Sequence, residues 1–248
     1  MPKLLLLGGT TEASALASAL AARGIDACFS YAGRVKTPRP QPLPTRVGGF
    51  GGVEGLARYL VDERITHLID ATHPFAAQIS ANAVAAARMA GVPLLALSRP
   101  PWVPQAGDRW QRVPDIAAAL AVLAGPPRRI LLALGRLHLA EFATCPQHHY
   151  VLRLVDPPAQ PIALPDHHVL VDRGPFSVDG DIAVLQHHRI DLVVCKNAGG
   201  EGARAKLLAA RSLGVPVLMI ERPLLPARAE VHTVEAVFDW LAHTPPAG

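Results

Sequence analysis

Gly8, Gly9, Thr10 and Thr11 follow directly on four leucines, Leu4 to Leu7. A glycine-rich turn between a strand and a helix brings backbone N–H groups up to a phosphate, and the helix dipole favours negative charge there. Against the dinucleotide pattern G-x-G-x-x-G/A, Gly8 and Ala13 fill the outer positions, but Thr10 stands in place of the middle glycine. Such a threonine can cap the helix and offer its hydroxyl to a phosphate, although its side chain holds a pyrophosphate further off. A plain strand-to-helix turn is the alternative.

The next apolar run ends near Tyr31 and continues as AGR, residues 32–34. A site for NAD usually carries an acidic residue there to hold the ribose hydroxyls. Here Asp26 lies at the wrong end of the strand and Arg34 follows it, so a 2′-phosphate, and hence NADP, is the expected partner; a solvated loop arginine is the bland reading. VKTPRPQPLPTR at 35–46 has four prolines at every second position, which bars it from a helix or central strand. Lys36, Arg39 and Arg46 make it a cationic binding loop, a lid, or an inert surface segment.

DATHPFA at 70–76 closes another apolar run, and Pro74 in a first helical turn would put Thr72 or His73 at the cap. His73 could orient a nicotinamide or a carboxylate, move a proton near neutral pH, or serve only structure. The corresponding stretch further on is CKNAGGEGAR at 195–204. Lys196 ends the strand there, Asn197 can cap, and Gly199 and Gly200 allow close backbone approach. Arg204 is expected in the first turn of the following helix, where a cation opposes the dipole and so points to binding. Arg99 and Arg136 also fall at strand ends.

Three histidine doublets, His148–His149, His167–His168 and His187–His188, invite a metal. Adjacent residues on a strand face opposite ways, and the doublets sit at the ends away from the expected ligand rim, so no metal is expected. Among nucleophile signatures, G-x-S-x-G, a Walker A loop and a paired Cys and His are all absent.

What must position these residues is written twice. RMAGVPLLALSRP at 88–100 realigns without gaps on RSLGVPVLMIERP at 211–223, an offset of 123. ITHLIDAT (65–72) matches IDLVVCKN (190–197) at 125, and KLLLLGG (3–9) matches RILLALG (129–135) at 126. Phe50 matches Phe176 at that last offset. Ordered offsets indicate tandem copies, joined near GPPRR at 125–129. In each copy, apolar runs of strand length alternate with Ala-rich helical stretches such as 11–23 and 78–90, which stop before Gly24 and Gly91. Continuous apolar strands mean sheets covered on both faces. The expectation is an α/β chain of two tandem Rossmann-like, doubly wound parallel sheets, residues 1–126 for NADP and 127–248 for substrate, with a cleft between them. Arg136 and Leu137 replace the threonine pair in the second copy, so its phosphate turn is missing.

Of 248 residues, 50% are hydrophobic and 18% charged, which excludes a disordered chain. The 24 basic residues include four lysines only, a bias suited to planar anions and equally to a GC-rich genome. With 5% aromatics and no basic stripe, nucleic acid is not an expected partner. No apolar stretch spans a membrane, the N-terminus lacks a signal-peptide core, and three scattered cysteines suggest a reduced, cytoplasmic protein, monomeric or a small homo-oligomer.

Together, GGTTE at 8–12, AGR at 32–34, DATHPFA at 70–76, SRPPW at 98–102, KNAGG at 196–200 and GVPVLMIERP resemble the precorrin-6A reductase family of cobalamin biosynthesis over nearly the whole chain. Ala198 departs from the expected pattern, where a serine would stand. The resemblance implies NADPH-dependent reduction of one double bond of a polycarboxylate tetrapyrrole, without flavin or metal. It implies cofactor contacts at Gly8, Gly9, Thr10, Thr11, Arg34, Thr72 and Pro74. Substrate contacts fall at Lys36, Arg39, Arg99, Arg136, Asn197, Gly199, Gly200 and Arg204, with His73 and Lys196 acting on the reacting ring. The proton could come from water, a substrate carboxylate or His73. A two-Rossmann glycosyltransferase acting on nucleotide sugars and a two-lobed small-molecule binding protein are the rival readings.

Overall fold

The structure, a computed structural model, describes residues 2–33, 39–158, 160–172, 174 and 176–247. The chain divides into two compact units: Met1–Pro100 with Leu224–Gly248, and Pro101–Pro223.

The first unit holds a six-stranded parallel sheet built from β1 (Lys3–Leu7), β2 (Asp26–Tyr31), β3 (Thr45–Val47), β4 (His67–Asp70), β5 (Leu94–Leu97) and β12 (Ala229–Val231), in the order β12-β5-β4-β1-β2-β3. The second holds β6 (Trp110–Val113), β7 (Arg129–Ala133), β8 (His149–Leu154), β9 (His167–Val171), β10 (Leu192–Lys196) and β11 (Val217–Ile220), in the order β6-β11-β10-β7-β8-β9. The two orders superpose strand for strand, β1 on β7 and β4 on β10, as the internal repeat requires.

The continuous leucine run of β1 has a direct cause in strand alternation. Leu4 and Leu6 enter one core with Leu16, Leu20 and Phe29, while Leu5 and Leu7 enter the opposite one with Leu56, Leu60, Ala83 and Ala86. All four leucines are buried, each worth about 1.5–3 kcal/mol relative to exposure. Helices α1 (Thr11–Ala22), α2 (Gly52–Asp62) and α3 (Ala77–Ala90) cover the first sheet with α7 (Val234–His243); α4 (Ile116–Val122), α5 (Val178–His187) and α6 (Ala205–Leu213) belong to the second unit. Gly91 and Gly214 end α3 and α6 in the left-handed conformation, φ 67° and 65°, which only glycine adopts without strain. Ser177 caps α5 as its position suggested, accepting from Gly180 N.

The boundary expected near residue 126 does not coincide with this division. Copy one ends with β6 and α4, yet β6 pairs with β11 in the second unit; copy two ends with β12 and α7, yet β12 pairs with β5 in the first. Each copy therefore gives its last strand and helix to the sheet of the other. The Pro-rich loop leads into β3, an edge strand that begins at Thr45, just after the last of its prolines, in keeping with their exclusion from a helix or central strand.

Candidate functional site

In the first sheet the strand order reverses about β1, so the carboxyl ends of β1 and β4 flank the switch point where open α/β sheets take ligands. Two turns meet there. Gly8 follows β1, and a Cβ on it would stand 2.0 Å from Cζ of the buried Phe29 ring. Gly9 has φ 128° with nothing within 4 Å of where its Cβ would be, so its backbone is bare. Thr10 is the N-cap of α1 and accepts from Ala13 N at 3.1 Å. Its own hydroxyl donates to Ala71 O at 2.9 Å, which corrects the expectation that it could serve a phosphate. The N–H groups of Thr11 and Glu12 head the helix without a partner among the described residues. Glu12 would repel an anion there, but Arg99 Nη2 lies 3.1 Å from its carboxylate.

The second turn is built on Asp70, buried at the end of β4. Asp70 Oδ1 accepts from Thr72 N at 3.1 Å and Thr72 Oγ1 at 2.7 Å, and Oδ2 from the Arg228 guanidinium. Thr72 is therefore tied to Asp70 and Ser80, and α3 starts only at Ala77, with Ala76 at a cap position lacking a side-chain bond. Pro74 is consequently not in a first helical turn, and neither Thr72 nor His73 caps. His73 is exposed, and its Nδ1 accepts from Phe75 N at 3.2 Å, so the neutral ring carries its proton on Nε2.

In the second unit the residues after β10 fold back on themselves. Asn197 is buried and, rather than capping a helix, its amide takes Trp102 N at 2.8 Å and gives to Trp102 O at 3.1 Å. Gly199 and Gly200 have φ 71° and 75°, a conformation the sequence's glycine pair anticipates. Arg204 is the residue before α6 rather than part of its first turn, and pairs with Glu201 at 3.1 Å. Lys196 ends β10, half-buried. Arg136, exposed, opens a 3-10 stretch, Arg136–Thr144, where copy one has α1; it donates to Asp156 O and Pro157 O. Behind these turns lies a buried group of charges. Arg153 and Asp181 pair at 2.5 Å, and burial pulls the Lys206 ammonium below the ordinary lysine value against the opposing pull of Cys195 and Asp181.

Arg34 and Lys36 lie outside the described residues. Arg39 is exposed, and its carbonyl accepts from Tyr31 Oη at 2.8 Å. Arg46 is a structural residue of β3, donating to Ser30 Oγ and Gly48 O with its guanidinium 3.7 Å above the Phe50 ring. His148 precedes β8 and His149 begins it, and His167–His168 begin β9, so both doublets lie at the starts of their strands. Among the described residues no three His, Cys, Asp or Glu side chains converge to hold a metal ion. A groove of about 540 Å³ in the first unit, lined by Arg88, Pro93, Leu94 and Arg228, lies at the start of β5, the opposite end from the two turns. Sequence reasoning gave no role to Trp102, Lys206 or Arg228, each of which makes a contact spanning 95 or more positions.

The chain matches the family model described as precorrin-6x reductase CbiJ/CobK over residues 3–242. It belongs to the precorrin-6x reductase CbiJ/CobK family. Precorrin-6A reductase of Rhodobacter capsulatus is 60% identical over 242 residues, 98% of this chain and 96% of that protein. Precorrin-6A reductase of a Sinorhizobium species is 50% identical, covering 89% and 85%. A solved structure titled CobK precorrin-6A reductase superposes with a TM-score of 0.93 at 60% identity, covering 98% of this chain and 96% of its own. The two turns of the first unit carry the bare backbone of Gly9 and the N-terminus of α1, and the 196–204 loop of the second carries Lys196 and Arg204. No helix among the described residues is long and apolar enough to cross a membrane.

Proposed function

We propose that the chain reduces precorrin-6A with NADPH, the first unit holding the dinucleotide and the second the polycarboxylate ring. The observation that carries this division is the asymmetry of the duplicated turns. After β1 a glycine turn leads into α1 with two N–H groups available, whereas the matching turn after β7 leads into the 3-10 stretch and exposed Arg136. The ring's identity rests on the relatives named above.

The first unit fits a pyrophosphate: the bare backbone of Gly9, the α1 N-terminus and a glutamate neutralised by Arg99 combine there. Arg99 is thereby assigned to the cofactor turn rather than to substrate. Arg34 takes the 2′-phosphate. A bound NADPH supplies the hydride. Lys196, Gly199, Gly200, Arg204 and Arg136 hold the ring carboxylates, and Lys196 offsets negative charge on the ring; Asn197, buried with its amide on the Trp102 backbone, shapes the loop instead. His73, exposed on its turn, is the side-chain proton source, acting as the imidazolium. Alignment and one proton are all that such a reduction asks of side chains. The enzyme acts in the cytoplasm, as a monomer or small homo-oligomer.

Anaerobic incubation with precorrin-6A tests the reading. NADPH oxidation should appear only when the tetrapyrrole is present, with a matching change in its absorption, and NADH should be a poor replacement. NADPH consumed without the tetrapyrrole, or a tetrapyrrole left unchanged, overturns it.

A further inference from the structure

Gln41 stands at the head of two hydrogen-bonded chains. Its Nε2 donates to Tyr31 Oη at 2.6 Å and to Ser14 Oγ at 3.1 Å, with a longer approach to Arg39 O at 3.4 Å. Both hydroxyls pass the polarity on: Tyr31 Oη donates to Arg39 O at 2.8 Å, and Ser14 Oγ to Thr10 O at 3.3 Å. Each donor meets an acceptor, and bonds in such a chain polarise one another. A side chain at position 41 that only accepted would have to turn both hydroxyls away from the carbonyls they hold.

Tyr31 is buried at the end of β2, and Ser14 lies in the first turn of α1. In a dinucleotide-binding sheet these two places carry the ribose and the pyrophosphate. Arg39 is therefore tied by its backbone to the elements that would surround the ribose. It is exposed, as are Ala32 and Gly33 directly after β2, and among the described residues its guanidinium has no partner. Arg46, the other described cation between β2 and α2, is consumed by Ser30 Oγ, Gly48 O, Gly49 O and the Phe50 ring. A guanidinium fork suits a phosphate, and a backbone fixed beforehand lowers the cost of ordering it around one.

We propose that Arg39 is a specificity-determining residue for the 2′-phosphate of NADPH, in addition to Arg34, and that Gln41 is the positioning residue that fixes its backbone. This assigns Arg39 to the cofactor rather than to the ring carboxylates, and it rests on the reading of the first unit as the dinucleotide holder. Gln41 acts through the Tyr31 and Ser14 hydroxyls.

The test compares wild type with Arg39→Gln and with Gln41→Met, which keeps the length of the side chain and removes its donors. Arg39→Gln should raise the KM for NADPH about tenfold, and Gln41→Met about fivefold. The KM values for NADH and for precorrin-6A should stay within about twofold of wild type in both. NADH lacks only the 2′-phosphate, so a residue that merely supported the fold would affect the two cofactors alike. Equilibrium titration with 2′,5′-ADP and 5′-AMP gives a second readout that needs no turnover. Wild type should prefer 2′,5′-ADP, and Arg39→Gln should lose about tenfold of that preference. If Gln41→Met fails to fold, Arg39→Gln, an exposed change, decides alone. An unchanged KM for NADPH in Arg39→Gln, an equal rise for both cofactors, or a rise for precorrin-6A only overturns the 2′-phosphate assignment. A folded Gln41→Met with an unchanged KM for NADPH overturns the positioning role. Wild type without preference for 2′,5′-ADP over 5′-AMP overturns instead the reading of the first unit as the NADPH holder.

Discussion

The Thr10 hydroxyl donates to Ala71 O at 2.9 Å, tying the turn after β1 to the turn after β4 across the switch point of the first sheet. One side chain thus fixes both turns that face the proposed dinucleotide, while also capping α1. Thr10→Ala should lose about 1–3 kcal/mol, since it removes a cap and leaves a buried carbonyl unmatched. Thr10→Ser should retain most of that stability. Urea unfolding of the two variants checks the difference, and equal losses would reassign the effect to the missing methyl group.

Asp70 and Arg228 form an ion pair with side chains 1% and 9% exposed. Removing one partner leaves a buried charge uncompensated, so Asp70→Asn or Arg228→Met alone should each cost about 3–5 kcal/mol. The double variant should cost clearly less than the sum of the two, because the second change removes the stranded charge. A double-mutant cycle from denaturant midpoints measures that coupling.

Arg34 is assigned to the 2′-phosphate, so Arg34→Ala should act on one cofactor and spare another. Loss of a charge-assisted contact of about 1.5–3 kcal/mol raises the KM for NADPH roughly tenfold or more. The KM for NADH should stay within about twofold of wild type. Steady-state kinetics with both cofactors tests this, and an equal rise in both removes Arg34 from the phosphate position.

His67 is buried between Thr66 and the C-terminal segment, its Nε2–H donating to Thr244 O at 3.2 Å and its ring edge-on to Trp240 at 5.5 Å. Burial lowers its pKa from the ordinary 6.5, with the Thr244 carbonyl opposing in part, and burial beside other histidines lowers His188 too. The unfolded chain therefore binds protons near 6.5 that the folded chain still refuses. Stability is greatest above that value and falls as pH drops through the window beneath it. Unfolding midpoints should decline from about pH 7.5 to about pH 5.5, and His67→Gln should flatten the decline.

Much of the fold could be read from the residues because local pattern and burial agree. The Leu4–Leu7 run, the helix ends at Gly24, Gly91 and Gly214, and the capping Ser177 all carry their conformation in their own chemistry. The partner choice of β6 and β12 does not. Two copies with the same apolar pattern offer equivalent edges, so nothing local tells Trp110–Val113 to pair with Val217–Ile220 rather than with the strand preceding it. The site residues divide in the same way. Gly9 and Gly199 were visible as backbone requirements, whereas Lys206 in an Ala-rich helix looks like a solvent-facing lysine. Asp70 lies 158 positions from Arg228, a pairing that composition cannot reveal.

The exchange of end segments also sets an order of assembly during synthesis. Val237 on α7 is fully buried in the same core as Leu16 and Leu97, and β12 completes the edge beside β5. Residues 101–223 can leave the ribosome and close their sheet while the first hundred residues still wait for both pieces. The segment translated first is thus the last to be finished, with an open strand edge and a bare apolar face exposed until the final two dozen residues arrive.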